Sequence, residues 1–233
     1  MHSSFVAGLR PTRRHRNGNP EGRDRKMLDI WNWDQDRLAT WLAEELQRST
    51  SLVCCEVGFS NAVLKIQQPR ILKLATIRDP KSRLISNFMF AVRRGHTAER
   101  DILSYVKRGG NNARPDYYTN LIIGRTGEQA RAEAEAAIKA LDYVQILGAP
   151  NSWDFLSDNL LINGDTKLQK FHRNATDYKD DALKEPWQSV LDADSELDAI
   201  CAEEAKLFAA VRAHFAPSGF QTKAISAGTA AGD

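Results

Sequence analysis

The chain has 233 residues, a formal net charge of +2, 42% hydrophobic residues and 27% charged residues. That balance fits one globular core and excludes collagen-like, coiled-coil and wholly disordered chains. The longest run without Asp, Glu, Lys or Arg, from Tyr143 to Trp153, is 11 residues, well short of the roughly 20 a membrane-spanning helix needs.

Met1 to Leu9 is mildly apolar with no basic region before it, a poor secretory signal. Residues 10–26 carry seven Lys/Arg against two acids, with Gly, Pro and Asn interspersed. So few apolar side chains predict a flexible basic arm over 1–26. Asp34 to Arg48 places Leu38, Trp41, Leu42 and Leu46 at helical spacing behind a capping Asp34. Leu52 to Val57 and Ile71 to Ile77 read as short strands. Pro80 to Arg93 reads as a helix with Leu84, Ile85, Phe88, Met89 and Val92 on one face. Further helices are predicted over Glu99 to Lys107, Glu128 to Leu141, Ser152 to Leu161 and Ser195 to Phe215, with a third strand over Tyr143 to Leu147. Strands separated by helices predict an α/β domain around a parallel sheet of three to five strands. That domain runs over 27–222, and the small-residue segment 223–233 is predicted to be a disordered tail.

Cys54, Cys55 and Cys201 are odd in number and two are adjacent, which argues against a disulfide framework and for a reducing compartment. No cysteine or histidine spacing matches a metal site, so no metal cofactor is expected. Cys54 and Cys55 fall in an apolar run and are expected to be inert strand residues. His96 and His172 are isolated, and a lone histidine is usually structural or exposed. Trp31 and Trp33 flank the first helix and are expected to pack on it, with an acceptor cleft as the alternative.

The chemistry concentrates in Ile71 to Val92. A strand runs into Arg78-Asp79-Pro80, and a helix follows at once. Asp79 suits the N-cap and Pro80 the first helical position. Free N–H groups and the positive dipole end at a helix start favour a bound phosphate. Arg78 stands at the C-terminal end of the strand, where open α/β sheets bind ligands. Ser82 and Ser86 share a helix face, and an arginine fork with a serine hydroxyl anchors a dianionic phosphate well. The plain alternative is an ordinary Asp-Pro helix start with Arg78 paired to a surface carboxylate.

Arg78-Asp79-Pro80-x-x-Arg83-Leu84-Ile85-Ser86 resembles the 3′-phosphate-binding element of sulfotransferases that use 3′-phosphoadenosine 5′-phosphosulfate (PAPS). Asp116 to Gly124, Leu141 to Leu161, Phe171 to Thr176 and Ala199 to Phe215 resemble, in order, later segments of the carbohydrate (Golgi-type) members, so the likeness covers about residues 50–216. The resemblance implies a three-layer α/β/α, P-loop NTPase-like sulfotransferase fold with a parallel central sheet. It implies PAPS as donor substrate and a hydroxyl, on a carbohydrate, as acceptor. Arg78 and Ser86 would hold the 3′-phosphate, Arg173 would reach the same nucleotide, and Arg83 would support the loop by pairing within the protein.

The family's N-terminal strand, Gly/Thr/Ser-rich loop and helix, which cradle the 5′-phosphosulfate, have no counterpart before Asp34. An N-terminally shortened member, or a non-catalytic relative that binds nucleotide, is therefore an alternative. Gly124-Arg125-Thr126-Gly127 has a similar composition but reads as a turn before the next helix. Where some members show Gly-His, this chain has Gly58-Phe59, so Glu56 is the candidate catalytic base; the competing role for Glu56 is an ion pair with a nearby arginine. Asn174-Ala175-Thr176 fits a glycosylation sequon, relevant only in a secretory lumen. The basic arm would also suit RNA or another polyanion, but no aromatic residue interrupts it to stack bases. Animal relatives sit in the Golgi behind a membrane anchor. No such anchor is seen here, so the expected location is the cytoplasm, with the Golgi lumen as the alternative if an anchor precedes.

Overall fold

Helices carry most of the described part of the chain, and parallel strand pairs sit among them. The structure is a computed structural model and describes residues 13–16, 33–47, 50–54, 73–147 and 181–215. In chain order the elements are β1 (Arg13–Arg16), α1 (Gln35–Gln47), β2 (Thr50–Cys54), β3 (Leu74–Ile77) and α2 (Pro80–Arg93). These are followed by α3 (Ile102–Arg108), α4 (Tyr117–Ile123), α5 (Glu128–Lys139), β4 (Tyr143–Ile146), α6 (Lys184–Asp192) and α7 (Asp194–His214). Single 3₁₀ turns lie at Asn111–Ala113 and Asp181–Leu183.

Two parallel pairs form, β1 with β2 and β3 with β4. The α/β character read from the sequence is present in this coarse form. The pairing of β1 amends one expectation: the middle of the basic arm is a strand. Its register runs Arg14↔Leu52, His15↔Val53 and Arg16↔Cys54. Strand pairing is made by backbone N–H and C=O groups, which a basic sequence supplies as well as an apolar one. α1 leads into β2 and contacts it. Asp34 Oδ1 accepts the Arg37 N–H at 2.8 Å at the start of α1, as its cap chemistry predicts. Trp33 is buried and packs edge-on against Trp41, ring centroids 5.6 Å apart, with the Arg37 guanidinium 4.2 Å above it. Trp33 therefore packs on the helix rather than lining a cleft.

β3 and β4 are joined through the helices between them, in the register Leu74↔Tyr143, Ala75↔Val144, Thr76↔Gln145 and Ile77↔Ile146. Residues two apart share a sheet face. Ala75, Ile77, Val144 and Ile146 accordingly enter one core with Ile138 of α5, with Leu207 and Val211 of α7, and with Phe215 just after α7. A second core gathers Leu84, Phe88, Met89 and Val92 of α2, Ile102 and Tyr105 of α3, Val190 of α6, and Leu197 and Cys201 of α7. α7 spans both cores.

Candidate functional site: the Arg78 turn

The turn between β3 and α2 has the cap chemistry that its sequence predicts. Asp79 is the N-cap and its Oδ1 accepts the Ser82 N–H at 2.8 Å. Pro80 is the first helical residue. One expectation needs correction. The sequence predicts free N–H groups for a phosphate at the start of α2. Pro80 has no N–H, Ser82 gives its own to Asp79, and the Arg83 N–H bonds the Asp79 carbonyl at 2.8 Å. Among the described residues the N–H groups of Asp79 and Lys81 are the ones at this helix start that make no hydrogen bond. The Lys81 ammonium itself is held by Asp194 and Asp198 of α7, at 2.8 and 2.7 Å.

Arg78 is half-buried. Its peptide lies between the last rung of the sheet, where Leu147 N–H bonds Ile77 C=O at 2.8 Å, and the first turn of α2. Neither ladder nor helix satisfies it. The Tyr118 hydroxyl does both jobs: it accepts the Arg78 N–H at 2.8 Å and donates to the Arg78 carbonyl at 3.2 Å. Burial pushes the Tyr118 phenol up to about 12, against the lowering influence of its Arg78 backbone bond and of Arg83. It stays protonated near neutral pH and so can donate and accept together. Among the described residues the Arg78 guanidinium makes no ion pair or hydrogen bond, and the half-buried Ser86 hydroxyl makes no hydrogen bond. Ser82 and Ser86 lie on the side of α2 away from Leu84, Phe88 and Val92, which are buried.

Arg83 differs from Arg78 in every respect. It is 7% exposed. Its guanidinium lies 4.2 Å above the Tyr117 ring, donates to the Asn112 carbonyl at 3.4 Å and donates to the Arg114 carbonyl. Asn87 Nδ2 reaches the same Asn112 carbonyl at 3.2 Å. Burial lowers the Arg83 pKa, opposed by the nearby tyrosines and Glu204. Arg83 thus pairs within the protein and pins the 111–114 turn to α2, the supporting role expected of it.

A residue that sequence reasoning passed over completes the turn. Glu204 of α7 is 3% exposed. Its Oε1 accepts the N–H groups of Tyr118 and Thr119 at 2.5 and 3.0 Å, and its Oε2 accepts the Thr119 hydroxyl at 2.7 Å. α4 has no local side-chain cap, because Asp116 is engaged by Arg114 through bonds of 3.0 and 3.2 Å. Glu204 supplies the cap from a distant helix. Burial raises its pKa, while the Thr119 hydroxyl and the Thr119 and Tyr118 N–H groups lower it. The signal was its place on the apolar stripe of α7, three residues from Cys201 and three from Leu207.

Glu56 and Arg173, the candidate base and second nucleotide ligand, lie outside the described residues, as do His172, Cys55, Asn174 and the helix expected over Ser152 to Leu161. His96 is exposed, its ring 5.8 Å from Phe90. Gly124 ends α4 at φ +75° and Gly127 precedes α5 at φ +105°, backbone that favours glycine. The segment from Gly124 to Gly127 is a turn before a helix, as its sequence predicts. Cys201 is buried, and burial pushes its thiol up to about 11, which makes it unreactive near neutral pH. Among the described residues no cluster of His, Cys, Asp or Glu could hold a metal ion, and no helix is long and apolar enough to cross a membrane. No protein-family model, curated protein or solved structure matches the chain.

Proposed function

We propose that the chain is a sulfotransferase that moves a sulfuryl group from PAPS to a hydroxyl of a carbohydrate, on a three-layer α/β/α, P-loop NTPase-like fold. One observation carries this reading. In the segment Arg78 to Ser86 the charged side chains other than Arg78 are committed to the turn or to a neighbouring helix, Asp79 to Ser82, Lys81 to Asp194 and Asp198 and Arg83 to the 111–114 turn, and Ser82 is exposed. Arg78 and Ser86 are half-buried and uncommitted among the described residues. These are the two that the resemblance assigns to the donor's 3′-phosphate, and a guanidinium with a hydroxyl is suited to that anion.

Arg78 would hold the phosphate through its fork, and Ser86 would donate one further hydrogen bond. Arg173 would add a second cation and Glu56 would accept the proton of the acceptor hydroxyl. The donor supplies the sulfuryl group. The acceptor oxygen gains the S–O bond, the bond to the 5′-phosphate breaks, and adenosine 3′,5′-bisphosphate and a sulfate ester are released. The test is incubation with radiolabelled PAPS and a panel of hydroxyl-bearing carbohydrates. One equivalent of adenosine 3′,5′-bisphosphate per labelled ester is expected, lost in R78A.

A second reading, nucleotide binding without transfer, is favoured by a specific feature of the sequence: the stretch between β1 and α1 carries Gly18 and Gly22 but none of the Ser and Thr that mark the family's 5′-phosphosulfate loop. Binding of adenosine 3′,5′-bisphosphate with no ester formed on any acceptor would decide for it.

A further inference from the structure

Arg78 projects from a peptide that lies outside both the sheet ladder and the helix. A buried or half-buried peptide of this kind needs partners, and here a single phenol supplies them. That phenol is carried on the first turn of α4, which has no local cap and is held by a carboxylate from α7. The order of dependence is therefore fixed by geometry: Glu204 holds Tyr118 and Thr119 by their N–H groups, and Tyr118 holds Arg78 by both its N–H and its C=O. Arg83 braces the same turn from the other side through the Tyr117 ring. None of these side chains is uncommitted, whereas Arg78's guanidinium is, among the described residues. The division is that of a rigid support and a ligand-facing group. A site needs its ligand-binding group held to about half an ångström by such a shell.

We propose that Glu204 and Tyr118 are positioning residues for Arg78, the carboxylate fixing the first turn of α4 and the hydroxyl on that turn fixing the backbone from which the guanidinium projects. The proposal rests on the reading of Arg78 as a nucleotide ligand. Neither residue touches the nucleotide. Their effect is on the direction in which Arg78 leaves the chain, so their loss weakens binding without removing a contact.

The test uses the full chain and two readouts. Amide hydrogen exchange, resolved by residue, reads the relay itself. Y118F removes only the hydroxyl, and exchange at the Arg78 amide is expected to quicken about tenfold while the amides of Leu84 and Phe88 stay protected. E204A is expected to quicken exchange at Tyr118, Thr119 and Arg78. E204Q keeps an acceptor oxygen toward the two N–H groups and is expected to restore protection at all three, which also serves should E204A fold poorly. Calorimetry with adenosine 3′,5′-bisphosphate reads the consequence: Y118F is expected to bind about tenfold more weakly than the wild type, and E204Q within about twofold. Unchanged Arg78 exchange in Y118F, or undiminished nucleotide affinity despite faster exchange, overturns the relay and leaves Arg78 standing as a ligand. A wild-type chain that binds no nucleotide overturns the assignment of Arg78 and, with it, the purpose given to its support.

Discussion

Two arginines five positions apart in one short motif should respond to alanine in opposite ways. Arg83 is buried and its guanidinium satisfies the Asn112 and Arg114 carbonyls while covering the Tyr117 ring. R83A leaves the half-buried Arg114 carbonyl without its donor, while Asn87 Nδ2 still serves the Asn112 carbonyl; losing that partner costs about 1 kcal/mol. It also loses a stacked cation, about 0.5–2 kcal/mol depending on desolvation. Against this stands the cost of burying the guanidinium, visible in its lowered pKa, which R83A relieves. The net expectation is a loss of about 1–3 kcal/mol, with water entering the vacated space at the lower end. Urea unfolding followed by circular dichroism should show the midpoint moving down at constant slope. The Arg78 guanidinium has no partner among the described residues, so R78A should change stability by less than about 0.5 kcal/mol. R83A as stable as wild type, or R78A as damaging as R83A, would refute the division of the motif into a structural and a ligand-facing arginine.

Glu204 gives a pH-dependent prediction. Its folded pKa lies above the ordinary 4.5 because burial disfavours the anion. The folded chain therefore binds its proton more tightly than the unfolded chain. The stability this contributes is complete below the unfolded value and is lost as pH rises through the folded value. The wild type minus E204Q stability difference should fall as pH rises from about 4.5; a difference that grows with pH would contradict the buried carboxylate. Asp116 adds to the upward shift, so in D116N that fall should be shifted to lower pH in the same urea titrations. In the helical core, Phe88 is fully buried with the Tyr105 ring 5.3 Å away, and F88A should cost about 3–5 kcal/mol in urea unfolding. At the head of α2, D79A removes the cap on Ser82 N–H and should cost about 1 kcal/mol by the same measurement.

Local chemistry made part of this fold readable from the chain. α2 begins and ends where Asp79, Pro80 and the apolar spacing of Leu84, Phe88 and Val92 place it, because cap, proline and stripe agree. α5 follows its alanine and glutamate content, and α7 its long apolar stripe. What escaped depends on distant partners. α4 has two aromatic residues in its first turn and a cap that arrives from Glu204, 85 residues away from Thr119, so no local window holds the reason for its start. α6 carries Pro186 in its first turn, where proline is tolerated, and is held by tertiary contact, with Ser189 Oγ accepting the Ile102 N–H at 3.2 Å. β1 reads as coil by composition because its partner strand, not its side chains, makes it a strand. For the candidate site, the motif points to Arg78 and Ser86. Tyr118 stood in a segment singled out only by likeness, and Glu204 stood in plain view as a carboxylate on a buried stripe.

Titration of the wild-type chain, R78A and S86A with adenosine 3′,5′-bisphosphate in a calorimeter tests the central assignment most directly. One nucleotide per chain is expected to bind the wild type. R78A should bind about 10- to 100-fold more weakly, the loss of charge-assisted bonds to phosphate, and S86A about fivefold more weakly. Equal affinity in R78A and wild type, or no binding to the wild type, would contradict it.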